Sequence, residues 1–201
     1  MAGIDRFLSG QLSEIIKKKI EPEVLKAVER KLFLSHGMSI KLSIEYFEKF
    51  LEILGKNSSL DVKRFQNECI NELIKIKKLD GKYSVVLIND KMSQFLIEQI
   101  GDKESRKIIS SIFKNDLIIP DILKRSHVPK TSGYRKIENM ILNGIIVETS
   151  RVLSESKKVS KFKCCFNEIE LSLNQDRTKI TLTLDKDMFE KSSCLNNVIA
   201  S

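Results

Sequence analysis

From Ile4 to Ile76 the apolar residues return every three or four positions, the spacing that lines one face of an α-helix. Ile4, Phe7, Leu8, Leu12, Ile15 and Ile16 predict a first helix over 4–19. It closes on Lys17, Lys18 and Lys19, cations that complement the negative end of a helix. Pro22 suits the first turn of a second helix over 22–35, and Gly37 suits its end. Ser39 is placed to cap a third helix over 40–55, carrying Ile40, Ile44, Phe47, Leu51 and Leu54. Val62, Phe65, Cys69, Leu73 and Ile76 predict a fourth over 61–78. Four one-sided helices joined by short links bury their apolar faces in a bundle or in an α-helical dimer interface. The Phe-bearing third and fourth helices are the candidate interface, and an intramolecular bundle explains them equally well.

The pattern changes at Asp80-Gly81, a turn dipeptide. Residues 82–89 are β-branched and read as a strand, and 91–100 read as a short helix. Gly101 ends that helix and Asp102 can cap the next, which sets a domain boundary between about 90 and 102. Helices then follow over 104–113, 119–126 and 130–144, with strands over 145–151 and 162–166. The alternating segments 168–174 and 178–184 flank a polar turn and form a hairpin. The expected fold is mainly α with a small β component. An N-terminal helical domain (1–100) precedes a second domain (101–185) of three helices, strands and a C-terminal β-hairpin. Residues 186–201 read as a C-terminal tail, frayed over 192–201.

Of 201 residues, 41% are hydrophobic and 31% charged, a balance that supports a packed core under a solvated surface. No run approaches the ~20 apolar residues that span a bilayer, and the first residues do not read as a secretion signal. The expectation is a soluble, cytoplasmic protein without a membrane partner. The four cysteines form no C-x-x-C pair and lie near no histidine at ligand spacing, so no metal is expected. They read as small apolar residues in a reducing compartment, with a redox role for Cys164 and Cys165 left open. His36 and His127 stand far apart, without a nucleophile or carboxylate at motif spacing, and no phosphate-binding glycine motif is present. Neither an enzyme nor a cofactor is expected.

Charge narrows the choice. The net charge is +8, but residues 1–101 hold 17 Lys/Arg against 14 Asp/Glu. Residues 117–166 hold ten against four, a local excess of +6. Such a focus suits a polyanion. Within it, Tyr134, Ile137, Met140 and Ile141 fall on one side of the 130–143 helix. Thr131, Ser132, Arg135, Lys136 and Asn139 fall on the other. Arg forks onto guanine and Asn onto adenine in a major groove. Lys130, Thr131 and Ser132 sit at the helix start, where unpaired N–H groups favour phosphate, and the Tyr134 hydroxyl can reach a DNA backbone. Arg151, Lys157, Lys158, Lys161 and Lys163 fall on or near the following hairpin, 151–163.

The stretch Pro129-Lys130-Thr131-Ser132-Gly133-Tyr134-Arg135-Lys136-Ile137, ending in Gly144-Ile145-Ile146, resembles the helix-turn-helix of archaeal winged-helix transcriptional regulators of the ArsR, MarR and TrmB-like groups. Two departures are Gly133, where an apolar side chain is usual and whose absence weakens packing, and Pro120 inside the preceding helix. The resemblance implies a homodimeric regulator that binds double-stranded DNA. Lys130, Thr131, Ser132, Tyr134, Arg135, Lys136 and Asn139 would meet the major groove. Lys157, Lys158 and Lys161 would form a basic wing on the backbone or minor groove. The N-terminal domain would hold any small-molecule or protein effector. The alternative is a winged-helix docking module without specific DNA binding, because fold alone does not fix function.

Overall fold

The computed structural model describes residues 3–154, 157–175, 178–196 and 198. Its first two helices, α1 (Gly3–Lys19) and α2 (Pro22–His36), follow the apolar spacing closely. The expected third helix is two: α3 (Ile40–Ile44) and α4 (Phe47–Asn57). Ser39 caps α3, its hydroxyl accepting the Leu42 N–H at 3.2 Å. Asp61 caps α5 (Val62–Asn71) by accepting the N–H groups of Lys63 and Arg64. The expected fourth helix stops there. Beyond it lies β1 (Ile74–Leu79), paired through the Asp80-Gly81 turn with β2 (Lys82–Leu87). Leu73 and Ile76 sit at helical spacing from Cys69, but Ile74 and Ile76 face the core from alternate strand positions while Lys75 and Lys77 face out. Pairing with β2 supplies backbone hydrogen bonds that an isolated helical turn would lack.

Phe47 and Phe50 are fully buried, with rings stacked at 5.5 Å, and Phe65 is nearly so. The apolar faces of α4 and α5 are therefore covered within the chain. Burial of these Phe side chains within one chain is what an intramolecular bundle predicts.

Next come α6 (Asp90–Gly101), α7 (Lys103–Ser111), α8 (Ile119–Ser126) and α9 (Lys130–Leu142). A hairpin of β3 (Ile146–Ser154) and β4 (Lys157–Cys164) follows, then β5 (Glu168–Leu173), β6 (Thr178–Asp185) and α10 (Lys186–Glu190). The described residues are 55% helical and 23% strand, so the chain is mixed α/β rather than mainly α with a small β part. β5 and β6 do not stand apart as a hairpin. They join the N-terminal hairpin in an antiparallel sheet of order β1-β2-β6-β5, with Val85 opposite Leu182. One sheet thus draws strands from both sides of the expected boundary at 90–102.

The last described residues, 192–196 and 198, are also tied in; Asn197 and 199–201 lie outside the described residues. Ser192, Cys194 and Leu195 have no exposed surface. Asp5 of α1, itself 1% exposed, accepts hydrogen bonds from the Ser192 hydroxyl and the N–H groups of Ser193 (2.9 Å) and Cys194 (3.2 Å). The reading of residues 192–201 as frayed does not fit the described part of this segment. Apolar Phe189, Leu195 and Val198 are few, and the buried carboxylate that anchors them lies at the other end of the sequence.

No helix among the described residues is long and apolar enough to cross a membrane. All four cysteines are free and buried, and burial pushes the thiols of Cys69 and Cys164 up to about 12.

Candidate nucleic-acid interface

The helices α7, α8 and α9 pack on one another around Ile108, Ile109, Ile112, Ile122, Leu123, Val128, Ile137 and Met140. Asp102 starts α7 by accepting the Ser105 N–H at 2.7 Å. Pro120 does not interrupt α8. The helix begins at Ile119, so the proline stands in the first turn, where no helical N–H partner is lost. Between α7 and α8, Leu117 exchanges two backbone hydrogen bonds with Phe162 of β4, at 3.0 and 2.8 Å. The β3–β4 hairpin is thereby fixed to the three helices.

His127 ends α8 in the left-handed conformation, φ 52°, the one non-glycine residue with positive φ among those described. For an L-residue this costs roughly 1–2 kcal/mol. His127→Gly is therefore expected to raise stability by about 0.5–1 kcal/mol, part of the relief being lost to a freer unfolded chain. Thermal unfolding would show it as a midpoint about 2 °C higher.

Gly133 belongs to the buried stripe of α9, in line with Ile137 and Met140. A Cβ there would overlap the Leu123 side chain and sit 3.2 Å from Val128. The glycine thus makes room for the Leu123 side chain of α8, and the expectation that it weakens packing is reversed. Placing Gly133 in the stripe also turns the helix. At roughly 100° per residue, the outermost line runs through Thr131, Arg135, Glu138, Asn139 and Leu142, all exposed. Lys130 and Tyr134 (47% exposed) flank it on one side, Ser132 and Lys136 on the other.

No family model, curated protein or solved structure matches this chain. The site's geometry therefore carries the functional reading.

Not every expected contact residue points outward to the same degree. Lys136 is half-buried and reaches back to α7, 2.6 Å from Asp102 and 3.8 Å from Glu104. The Lys136 ammonium, with the Ser105 N–H, holds the Asp102 carboxyl below its ordinary range. Lys136 thus ties the start of α7 to α9. Ser132 donates its hydroxyl to the Pro129 carbonyl at 3.3 Å. The Asn139 side-chain oxygen accepts from Asn143 at 3.2 Å, leaving its amide group as the donor end. Arg135 makes no ion pair among the described residues, and its fork stands in solvent.

The hairpin sorts its cations by strand alternation. Phe162 and Cys164 are buried, so Lys158 shares their face of β4, while Lys157, Lys161 and Lys163 share the other. Arg151 pairs with Glu148 at 2.7 Å, and Lys163 lies 3.8 Å from Asp185. Lys157 and Lys158 are exposed and Lys161 half-buried. The tip residues Glu155 and Ser156 lie outside the described residues. Lys157, Lys158 and Lys161 are expected from the sequence to act as one group; the register separates Lys158 from the other two. It also passed over Glu138 and Leu142, the latter 67% exposed. Counting Gly133 as a packing residue would have found both.

Proposed function

We propose that residues 103–164 form a winged helix that binds double-stranded DNA, with α9 in the major groove and the β3–β4 hairpin along the backbone or minor groove. The observation that carries this reading is the outward line Thr131–Arg135–Asn139, set beside a hairpin bearing Lys157, Lys158 and Lys161. Arg135 is the specificity residue, since a guanidinium fork matches guanine. The lysines serve phosphates and carry no base information. The protein then acts as a homodimeric transcriptional regulator. Two α9 helices would sit about 34 Å apart, one DNA turn, and the N-terminal region would take an unidentified effector.

Fluorescence anisotropy with genomic duplexes tests this. Binding is expected to weaken linearly in log–log form as salt rises, because phosphate contacts release counterions. Arg135→Ala is expected to cost about 1–3 kcal/mol on the preferred site and little on others. Lys157→Ala is expected to weaken all duplexes alike and to reduce the salt slope by about one. No duplex binding even at low salt defeats the reading.

One observation favours a second reading, a protein-docking module. Glu138 and Leu142 lie on the same outward line, an acid that repels phosphate and an apolar side chain that gains nothing from it. On that reading, Leu142→Ala weakens the interaction and Arg135→Ala does not.

A further inference from the structure

We propose that the β5 strand is the dimer seam: two copies pair antiparallel, β5 against β5, about a two-fold axis at Leu171. The inference deepens the dimeric reading above, but its test contains no DNA.

Three observations converge on it. β5 is an edge strand, so alternate N–H and C=O groups along it face away from β6. Its apolar residues Ile169 and Leu171 are opposite Leu182 and Ile180, both fully buried, and so lie on the core-facing side of the sheet. That side runs out uncovered at the edge, where Leu171 is 46% and Leu173 75% exposed. Finally, the two edges of the sheet differ in chemistry. The β1 edge carries Lys75, Lys77 and Lys78, the charges that keep an edge from pairing. β5 carries no lysine.

A two-fold at Leu171 suits the sequence of β5 in both faces. Leu171 meets Leu171 of the second copy, and Ile169 meets its Leu173, which closes the apolar side. On the other side Glu170 meets Ser172, so no like charges stand directly opposite. Ser172 is opposite Lys179 of β6. Its small side chain leaves the Lys179 chain a path across to Glu170 of the second copy, twice per dimer. The occupant is therefore a second copy of this chain. An isologous contact of this kind closes as a dimer, whereas β5 pairing with the lysine-bearing β1 edge of another copy would build an open array.

A single pair of six-residue strands falls at or below the lower end of stable interfaces, about 1,200 Å². Association is accordingly expected to depend on concentration through the micromolar range. Sedimentation equilibrium of the full chain is expected to show monomer and dimer only. Leu171→Lys is expected to leave a monomer with an unchanged circular dichroism spectrum. Leu171→Cys, treated with diamide, is expected to give a covalent dimer, since residue 171 faces itself across about 5.5 Å or less between Cα atoms. Ser172→Cys is expected to cross-link far less. The four native cysteines are buried and do not compete. A monomer at every concentration, a dimer that survives Leu171→Lys, or an array that lengthens with concentration overturns the proposal. Failure of DNA binding alone leaves it standing.

Discussion

Gly144→Val is expected to lower stability by more than about 3 kcal/mol. Two costs add at this position. Gly144 has φ +73°, a conformation that costs an L-residue roughly 1–2 kcal/mol, more when it is β-branched. A Cβ would also overlap the Phe7 N and lie 2.5 Å from the Gly3 carbonyl oxygen. Both are backbone atoms of α1, so no side-chain rotation gives way, and overpacking of this kind costs about 1–3 kcal/mol. The consequence reaches beyond the turn. Arg6 donates to the Ile141 carbonyl at 3.3 Å, and Phe7 packs edge-on against Phe166 at 5.2 Å. Displacing α1 disturbs the seat of α9 and with it the outward line of Thr131, Arg135 and Asn139. Gly37 provides the control. Its φ is +63°, but no atom lies within 4 Å of an added Cβ. Gly37→Ala is therefore expected to cost only about 1 kcal/mol. Thermal unfolding separates the two, with midpoints lowered by roughly 10 °C and about 3 °C respectively.

Asp5→Ala is expected to lower stability by about 3–5 kcal/mol, because it leaves several buried donors without an acceptor. The substitution strips the acceptor from the Ser192 hydroxyl and from the N–H groups of Ser193 and Cys194. Each buried donor left unpaired costs about 1–3 kcal/mol. Asp5→Asn keeps one acceptor oxygen and is expected to lose roughly half as much. The two variants also predict a pH effect. Burial holds the Asp5 carboxyl above its ordinary 3.8, and the hydrogen bonds from Ser192, Ser193 and Cys194 only partly offset it. The folded chain thus binds this proton more tightly than the unfolded chain. Its contribution to stability is complete below 3.8 and declines as pH rises through the raised folded value. The gap between wild type and Asp5→Asn is expected to narrow in denaturant titrations as pH rises from 3.8 through the raised folded value. A gap that widens would show that the donors outweigh burial.

Local signals make part of the fold readable, and contacts between distant residues decide the rest. Apolar spacing, caps and turn dipeptides are local. Ser39 and Asp102 each act on an N–H three residues ahead, and each is found where the sequence puts it. The end of α5 was misplaced because Leu73 and Ile76 fit a helix as well as a strand over so few residues. Only pairing with β2 distinguishes the two. The same limit applies to the site. Polar residues at 131, 135 and 139 were legible as one outward line from helical spacing. Lys136 was assigned to that line because its ion pair with Asp102 spans 34 residues of sequence and appears only when α7 and α9 meet.

The sequence by itself determined α1, α2 and α6 to α9, the Asp80-Gly81 turn, the basic excess in residues 117–166 and the polar side of the 130–143 helix. These follow from contacts within a few residues and from composition. Tertiary structure alone decided that one sheet joins residues 74–87 to 168–185, that Asp5 anchors Ser192–Cys194, and that Gly133 and Gly144 are points of close approach. Each of these depends on backbones brought together from distant positions. Their strength comes from excluding water and side-chain volume at the contact, which no local pattern records.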